Sequence, residues 1–148
     1  LGDDHPEVAA TLVLVAHASR LAGDTSAAVR TSADALTVWE RIVGPNHPGT
    51  LEAVDVLASA RLQAGERDGV PALLARLCAA DGSADPVRRA YHLVRLAELT
   101  ARKDKAAARA NVQEAMKLPC WDSDEGLSVN QRTRLADTAA YAARAYRL

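Results

Sequence analysis

Apolar residues recur at helical spacing almost from the start of the chain. Ala9, Leu12, Val13 and Ala16 fall on one face of a 3.6-residue turn. Pro6 suits the first turn of that helix, where its missing N–H has no partner to lose, and Gly23 suits its end because glycine adopts a positive φ freely. A second helix follows over about 26–43, with Val29, Ala33, Leu36 and Val43 as its stripe, Trp39 at the edge and Asp24 or Thr25 as its cap. A third opens at Pro48 and ends at Gly65. A fourth, about 69–80, carries Val70, Leu73, Leu74 and Leu77 until Asp81-Gly82-Ser83 breaks it. Asp85-Pro86 starts a fifth helix, through about 102, with Tyr91, Val94, Ala97 and Leu99. The sixth, about 105–118, has Ala108, Val112, Ala115 and Met116, and Pro119 stops it. After an acidic connection over 120–126, Ser128 with Gln131 three residues on forms a capping box. It begins a seventh helix to about 146, with Leu135, Ala139, Ala142 and Tyr146 on one face.

The pattern repeats itself. Leu1-Gly2-Asp3-Asp4-His5-Pro6 recurs as Val43-Gly44-Pro45-Asn46-His47-Pro48, an offset of 42. The same offset carries Leu14-Val15-Ala16 onto Val56-Leu57-Ala58, and Ala22-Gly23-Asp24 onto Ala64-Gly65-Glu66. Each unit reads as a helical hairpin: units over about 1–42, 43–84 and 85–118, with a closing helix at about 128–147, in one repeat domain. The third unit is degenerate, because aligning Ala97 with Ala16 and Ala58 puts Asp104 where the others have glycine. One hairpin cannot bury its apolar stripe alone, so neighbours stack and share a core. The last helix is expected to cover the third hairpin.

Composition explains how such helices would meet. Of the 49% hydrophobic residues, 32 are alanine; there is one Ile, no Phe, and aromatics total 3%. Alanine is the best helix former and strands prefer β-branched and aromatic residues, so an all-β fold is excluded. Small side chains let helices approach closely, and Ala16, Ala58 and Ala97 stand where stacked helices must touch. The 18 Lys and Arg nearly balance 19 Asp and Glu, giving a net charge of −1, so no basic field for nucleic acid or acidic lipid exists. No apolar run approaches the roughly 18 residues of a membrane span. Two cysteines make no disulfide framework, which points to a reducing cytoplasm. The chain opens mid-phrase at Leu1-Gly2, so it is expected to be a segment of a longer protein. Arginine outnumbers lysine 15 to 3, which, with the alanine excess, suggests a GC-rich bacterial source.

These residues resemble tetratricopeptide (TPR) repeats of the 42-residue kind found in kinesin light chains and many bacterial regulators. The matching phrase is Leu1 to Pro6, Val15-Ala16, Gly23, Ala28 and Ala35 in the first unit. The second has Val43 to Pro48, Leu57-Ala58 and Gly65, then Val70 and Leu77 where the family prefers alanine. The match is strong over about 1–80 and weaker over 85–118. It implies an all-α, right-handed α-solenoid of three hairpins plus a C-terminal capping helix, about seven helices in all. It also implies that the first helix of each hairpin lines a concave groove. Carried over by the Ala16, Ala58 and Ala97 register, the groove positions are Val13, His17, Arg20 and Leu21, then Glu52, Asp55, Ser59, Leu62 and Gln63, then Tyr91, Val94, Glu98 and Arg102. Repeats that grip a C-terminal carboxylate need convergent Lys, Arg and Asn there. Asp55 and Glu98 occupy such places instead, so that ligand is disfavoured. The basic, Asn-rich groove of kinesin light chains is not matched either.

Catalytic and metal readings are weak. The two His-Pro pairs could pose as an imidazole site, but recurrence at the repeat period favours a helix-entry device, with His at the cap and Pro beginning the turn. His5, His17, His47, His92, Cys78 and Cys120 lack paired metal-ligand spacing. Cys78 ends an apolar stripe and should be buried; Cys120 is open to exposure, without a flanking cation to activate it. Glu52 and Glu98 could act as acid and base, but solvated helix faces explain them better. Trp39 is expected to pack against the next hairpin. Trp121 should plug the end of the core, the alternative being an exposed anchor for a partner. The expectation is a protein without catalytic residues, metal or cofactor, which binds a protein or peptide, or neighbouring domains of its own chain, through the groove. Self-association or internal packing, and sensing of a small molecule or signalling peptide, are the alternatives.

Overall fold

The computed structural model describes residues 5–80, 85–121 and 126–145. They form seven α-helices and a short 3-10 turn, with no strand among the described residues: α1 (Pro6–Leu21), α2 (Thr25–Val43), α3 (Pro48–Gln63), α4 (Val70–Ala80), α5 (Pro86–Thr100), α6 (Lys105–Met116), the turn Pro119–Trp121, and α7 (Val129–Ala145). The first four residues, the Asp81-Gly82-Ser83 break, most of the acidic connection and Tyr146 lie outside the described residues. The chain packs as two compact units, Leu1–Leu73 and Leu74–Leu148, and α4 runs across the division between them.

In the first unit, α1 and α2 form a hairpin and α3 packs on both. Its core is made of small residues around one indole: Ala9, Val13 and Ala16 from α1, Ala35 and the indole of Trp39 from α2, Ala53 and Val56 from α3. Ala9, Ala16, Ala28, Ala35, Ala53 and Ala60 have no solvent exposure at all. The buried face of α2 is Ala28, Ser32, Ala35 and Trp39. This corrects the stripe read from its larger residues: Val29, Ala33 and Leu36 are only partly buried and Val43 is exposed. Close helix approach admits alanine and serine at the contact and turns the bulkier side chains to its flanks. Ser32 is tolerated there because its hydroxyl donates to the Ala28 carbonyl at 2.7 Å. Trp39 lies so close to α3 that a Cβ added at Gly49 would sit 2.7 Å from the indole.

The helix ends follow the repeat. His5 and His47 occupy the N-cap positions of α1 and α3, each followed by proline, and each Nδ1 accepts a backbone N–H two residues on, from Glu7 at 3.2 Å and Gly49 at 3.1 Å. Gly23 and Gly65 hold φ of +82° and +80° just past the ends of α1 and α3. Two residues after each helix's C-terminal alanine cap, Asp24 and Glu66 send their N–H back to Ser19 and Arg61, closing the same Schellman turn in both repeats. Of the two residues considered as the α2 cap, it is Asp24 that accepts from Ala27 N–H.

In the second unit, α5 packs against α6, α7 and the 3-10 turn. Val87, Ala90, Leu93, Val94, Ala97 and Ala101 meet Ala108, Val112 and Ala115 of α6, Ala142 of α7, and Cys78 and Cys120. Asp85 and Asp104 cap α5 and α6. The α5–α6 turn has no left-handed residue: with Asp104 in place of glycine, it closes through Lys103 and Asp104 N–H groups on the Thr100 carbonyl. Helix α6 stops at Met116, and Pro119–Trp121 folds back beneath α5, which buries Cys120 with its Sγ 3.6 Å from the Pro86 carbonyl. Cys120 is therefore not at the surface. Trp121 is a plug: it packs against the core, half-buried, and its Nε1 donates to the Ala115 carbonyl at 2.7 Å. The capping box of α7 is complete, with Ser128 N–H donating to Gln131 and Gln131 N–H to the Ser128 hydroxyl. On α7, Thr138 and Ala142 are buried and Leu135 partly so, whereas Ala139 faces solvent.

Candidate functional site

The groove positions read from the sequence fall in both units, on α1 and α3 of the first and along α5 of the second. On α1, Val13 is in the core at 3% exposure. His17 and Arg20 are half-buried and Leu21 is 79% exposed. On α3, Glu52 and Gln63 are exposed while Asp55, Ser59 and Leu62 are half-buried. The structure joins two of these residues across the repeat: Gln63 Nε2 donates to the Arg20 carbonyl at 3.2 Å. That carbonyl also takes the Gly23 N–H, so the end of α1 is closed by its own turn and by a side chain of α3. The Arg20 Nε is buried and has no acceptor among the described residues.

On α5, Val94 is in the core and Tyr91 is half-buried. The guanidinium carbons of Arg95 and Arg134 lie 5.9 and 5.8 Å from the Tyr91 ring centroid, and the buried His92 meets the ring edge-on at 5.7 Å. Each cation contributes about 0.5–1 kcal/mol at a site of this exposure. Glu98 is exposed and sits 3.5 Å from Arg95 Nη1, and Arg102 is exposed in the turn after α5. Sequence reasoning found Tyr91 but not its cations. Arg95 stands four residues on from Tyr91, one turn along the helix, which was a usable signal. Arg134 comes from α7, and no local pattern links it to Tyr91.

Among the described residues, no three His, Cys, Asp or Glu side chains are grouped to hold a metal ion. His5 and His47 are engaged as helix caps, and Cys78 and Cys120 are buried. Among the described residues, no helix is long and apolar enough to cross a membrane.

No family model matches the chain, and no curated protein matches it. Solved structures do. Two crystal structures of a protein from Podosopora anserina, described as a kinesin light chain with nearly identical TPR-like repeats, one of them a single-site variant, superpose on it. The variant gives a TM-score of 0.72 at 20% identity over 96% of this chain, the other 0.68 at 24% over 99%. The chain spans about two thirds of their length, 66% and 69%. The fold is thus that of TPR-like helical repeats.

Proposed function

We propose that this chain is a non-catalytic recognition module that binds a protein or peptide through the first helices of its hairpins, within a larger bacterial cytoplasmic signalling or regulatory protein. TPR-like repeats generally serve protein interaction, because stacked hairpins leave long rows of side chains that the core does not use. The observation that carries the reading is Tyr91, an aromatic residue kept half-exposed with two guanidiniums against its ring. Tyrosine and arginine are the residues that most often dominate binding interfaces. On the same unit as Tyr91, the exposed Glu98 and Arg102 supply charges of both signs, which suits a peptide of mixed character better than a highly charged one.

Selection from a displayed peptide library supplies the test. Tyr91→Ala, and the charge reversals Arg20→Glu, Asp55→Lys and Arg102→Glu, should abolish binding of selected peptides and leave helical circular dichroism unchanged. Peptides that bind all four variants as well as the parent would refute the assignment.

A second reading has its own observation. Leu14 is 68% exposed and lies on the same face of α1 as Ala18 and Leu21, both exposed. One repeat later, Val56 and Ala60 hold the equivalent positions on α3 and are buried at 3% and 0%. The face that seats α3 in the first unit is open on α1, which favours packing of another helical hairpin there, from a second copy or a neighbouring domain.

A further inference from the structure

The repeat departs from itself at one turn. Three residues, Ala22 to Asp24, join α1 to α2, whereas six, Ala64 to Gly69, join α3 to α4. The extra length makes a recess of about 500 Å³ lined by Arg61, Gly65, Glu66, Arg67 and Asp68. The recess is open to solvent and lined by charged side chains, which suits a small charged ligand and not an apolar one. The Arg61 guanidinium stretches along the turn to Gly69, where an added Cβ would stand 3.2 Å from its Nη1. Its Nε is buried and has no acceptor among the described residues. The Nη groups beyond that closed edge make no hydrogen bond among the described residues, and they are the donors that a carboxylate can reach. Among the described residues, no ion pair joins the two arginines of the recess to its two carboxylates. Four charges of balanced sign therefore face one recess unpaired.

We propose that the α3–α4 turn is a binding site for a small zwitterion, such as an amino acid or dipeptide, distinct from the groove surface. The ligand's carboxylate takes the Arg61 Nη groups, with Arg67 beside them, and its ammonium takes Glu66 and Asp68. The two acidic side chains disfavour a dianion such as phosphate, and the two arginines disfavour a simple cation. Nothing in this assignment depends on the groove reading.

Glycylglycine is the probe, followed by backbone amide shifts of isotope-labelled protein. Saturable shifts over 61–69, absent with acetate or inorganic phosphate, are expected. Arg61→Gln should weaken the response about tenfold or more, the equivalent of about 1.4 kcal/mol. The double variant Glu66→Gln/Asp68→Asn, made at exposed positions and so safe for the fold, should weaken glycylglycine and admit phosphate. No saturable shift with glycylglycine, an unchanged response in the double variant, or tighter binding of phosphate than of glycylglycine to the parent protein would each overturn the site.

Discussion

The imidazole of His47 lies against the indole of Trp39, ring centroids 5.4 Å apart and planes 22° from parallel. The same imidazole caps α3 through its Nδ1. One side chain thus closes the entry of α3 and fixes it on α2, the helix before it. His5 caps α1 in the same way but meets no aromatic ring among the described residues. The two histidines should therefore differ in worth. Loss of either cap costs about 1 kcal/mol. The ring stack adds about 0.5–1.5 kcal/mol at His47. His47→Ala should lower the urea midpoint more than His5→Ala, and His47→Asn, which keeps a capping oxygen but not the stack, should fall between. Equal losses at the two positions would show that the stack contributes nothing.

Gly49 is the other half of that contact. In open space, alanine in a helix is favoured over glycine by about 0.5–1 kcal/mol. Here the new methyl would meet the Trp39 ring at 2.7–2.9 Å, and overpacking of this kind costs about 1–3 kcal/mol. Packing outweighs propensity, so Gly49→Ala should destabilise by about 1–2 kcal/mol. With Trp39 shortened to leucine the sign should reverse, and a double-mutant cycle in denaturant reads the coupling directly. A stabilised single variant would mean that α3 shifts freely on α2.

These two residues also show what could be read from the sequence. The caps, the glycine turns and the capping box of α7 are local chemistry, and His5, His47, Gly23, Gly65, Ser128 and Gln131 announce them by type and spacing. The core is legible only partly. Bulky residues mark the buried face of α4, where Val70, Leu74 and Leu77 are buried, and only partly that of α5, where Val94 is buried and Tyr91 and Leu99 are half-buried; on α2 they mislead, because the contact there is so close that Ala28, Ser32 and Ala35 form it. The family phrase picked Ala28 and Ala35 where hydrophobicity alone did not. Gly49 replaces a glutamate, Glu7, of the first repeat, a difference that makes sense only once Trp39 is seen above it. The site suffers most. Spacing on a single helix identifies Tyr91, while Arg134 reaches it from 43 residues away by tertiary packing. Likewise the recess at Arg61 arises from the length of a turn.

Trp121 seals the second unit by two separable means. Its indole N–H donates to Ala115, one of the last carbonyls of α6, which also takes the Leu118 N–H of the closing turn. Its ring covers the edge of the core. Trp121→Phe keeps most of the ring and should cost about 1 kcal/mol for the lost hydrogen bond. Trp121→Ala loses both and should cost about 2–3 kcal/mol, less than a fully buried tryptophan because the ring is half-exposed. Hydrogen exchange at the C-terminal end of α6 should accelerate in both variants. An exposed partner anchor predicts the opposite: near-wild-type stability for Trp121→Ala.

Leu14 separates the groove reading from the packing reading. Its side chain is mostly in water, so Leu14→Glu should leave the melting temperature within the small range of surface substitutions, about 0.5 kcal/mol either way. If α1 seats another copy as α2 seats α3, the parent chain should sediment faster as concentration rises. Leu14→Glu should then remain monomeric, since a carboxylate cannot be buried at a position equivalent to Val56 without a partner. Peptide binding at Tyr91 should be untouched by the same change. A parent chain that stays monomeric over the whole concentration range would exclude self-association through α1.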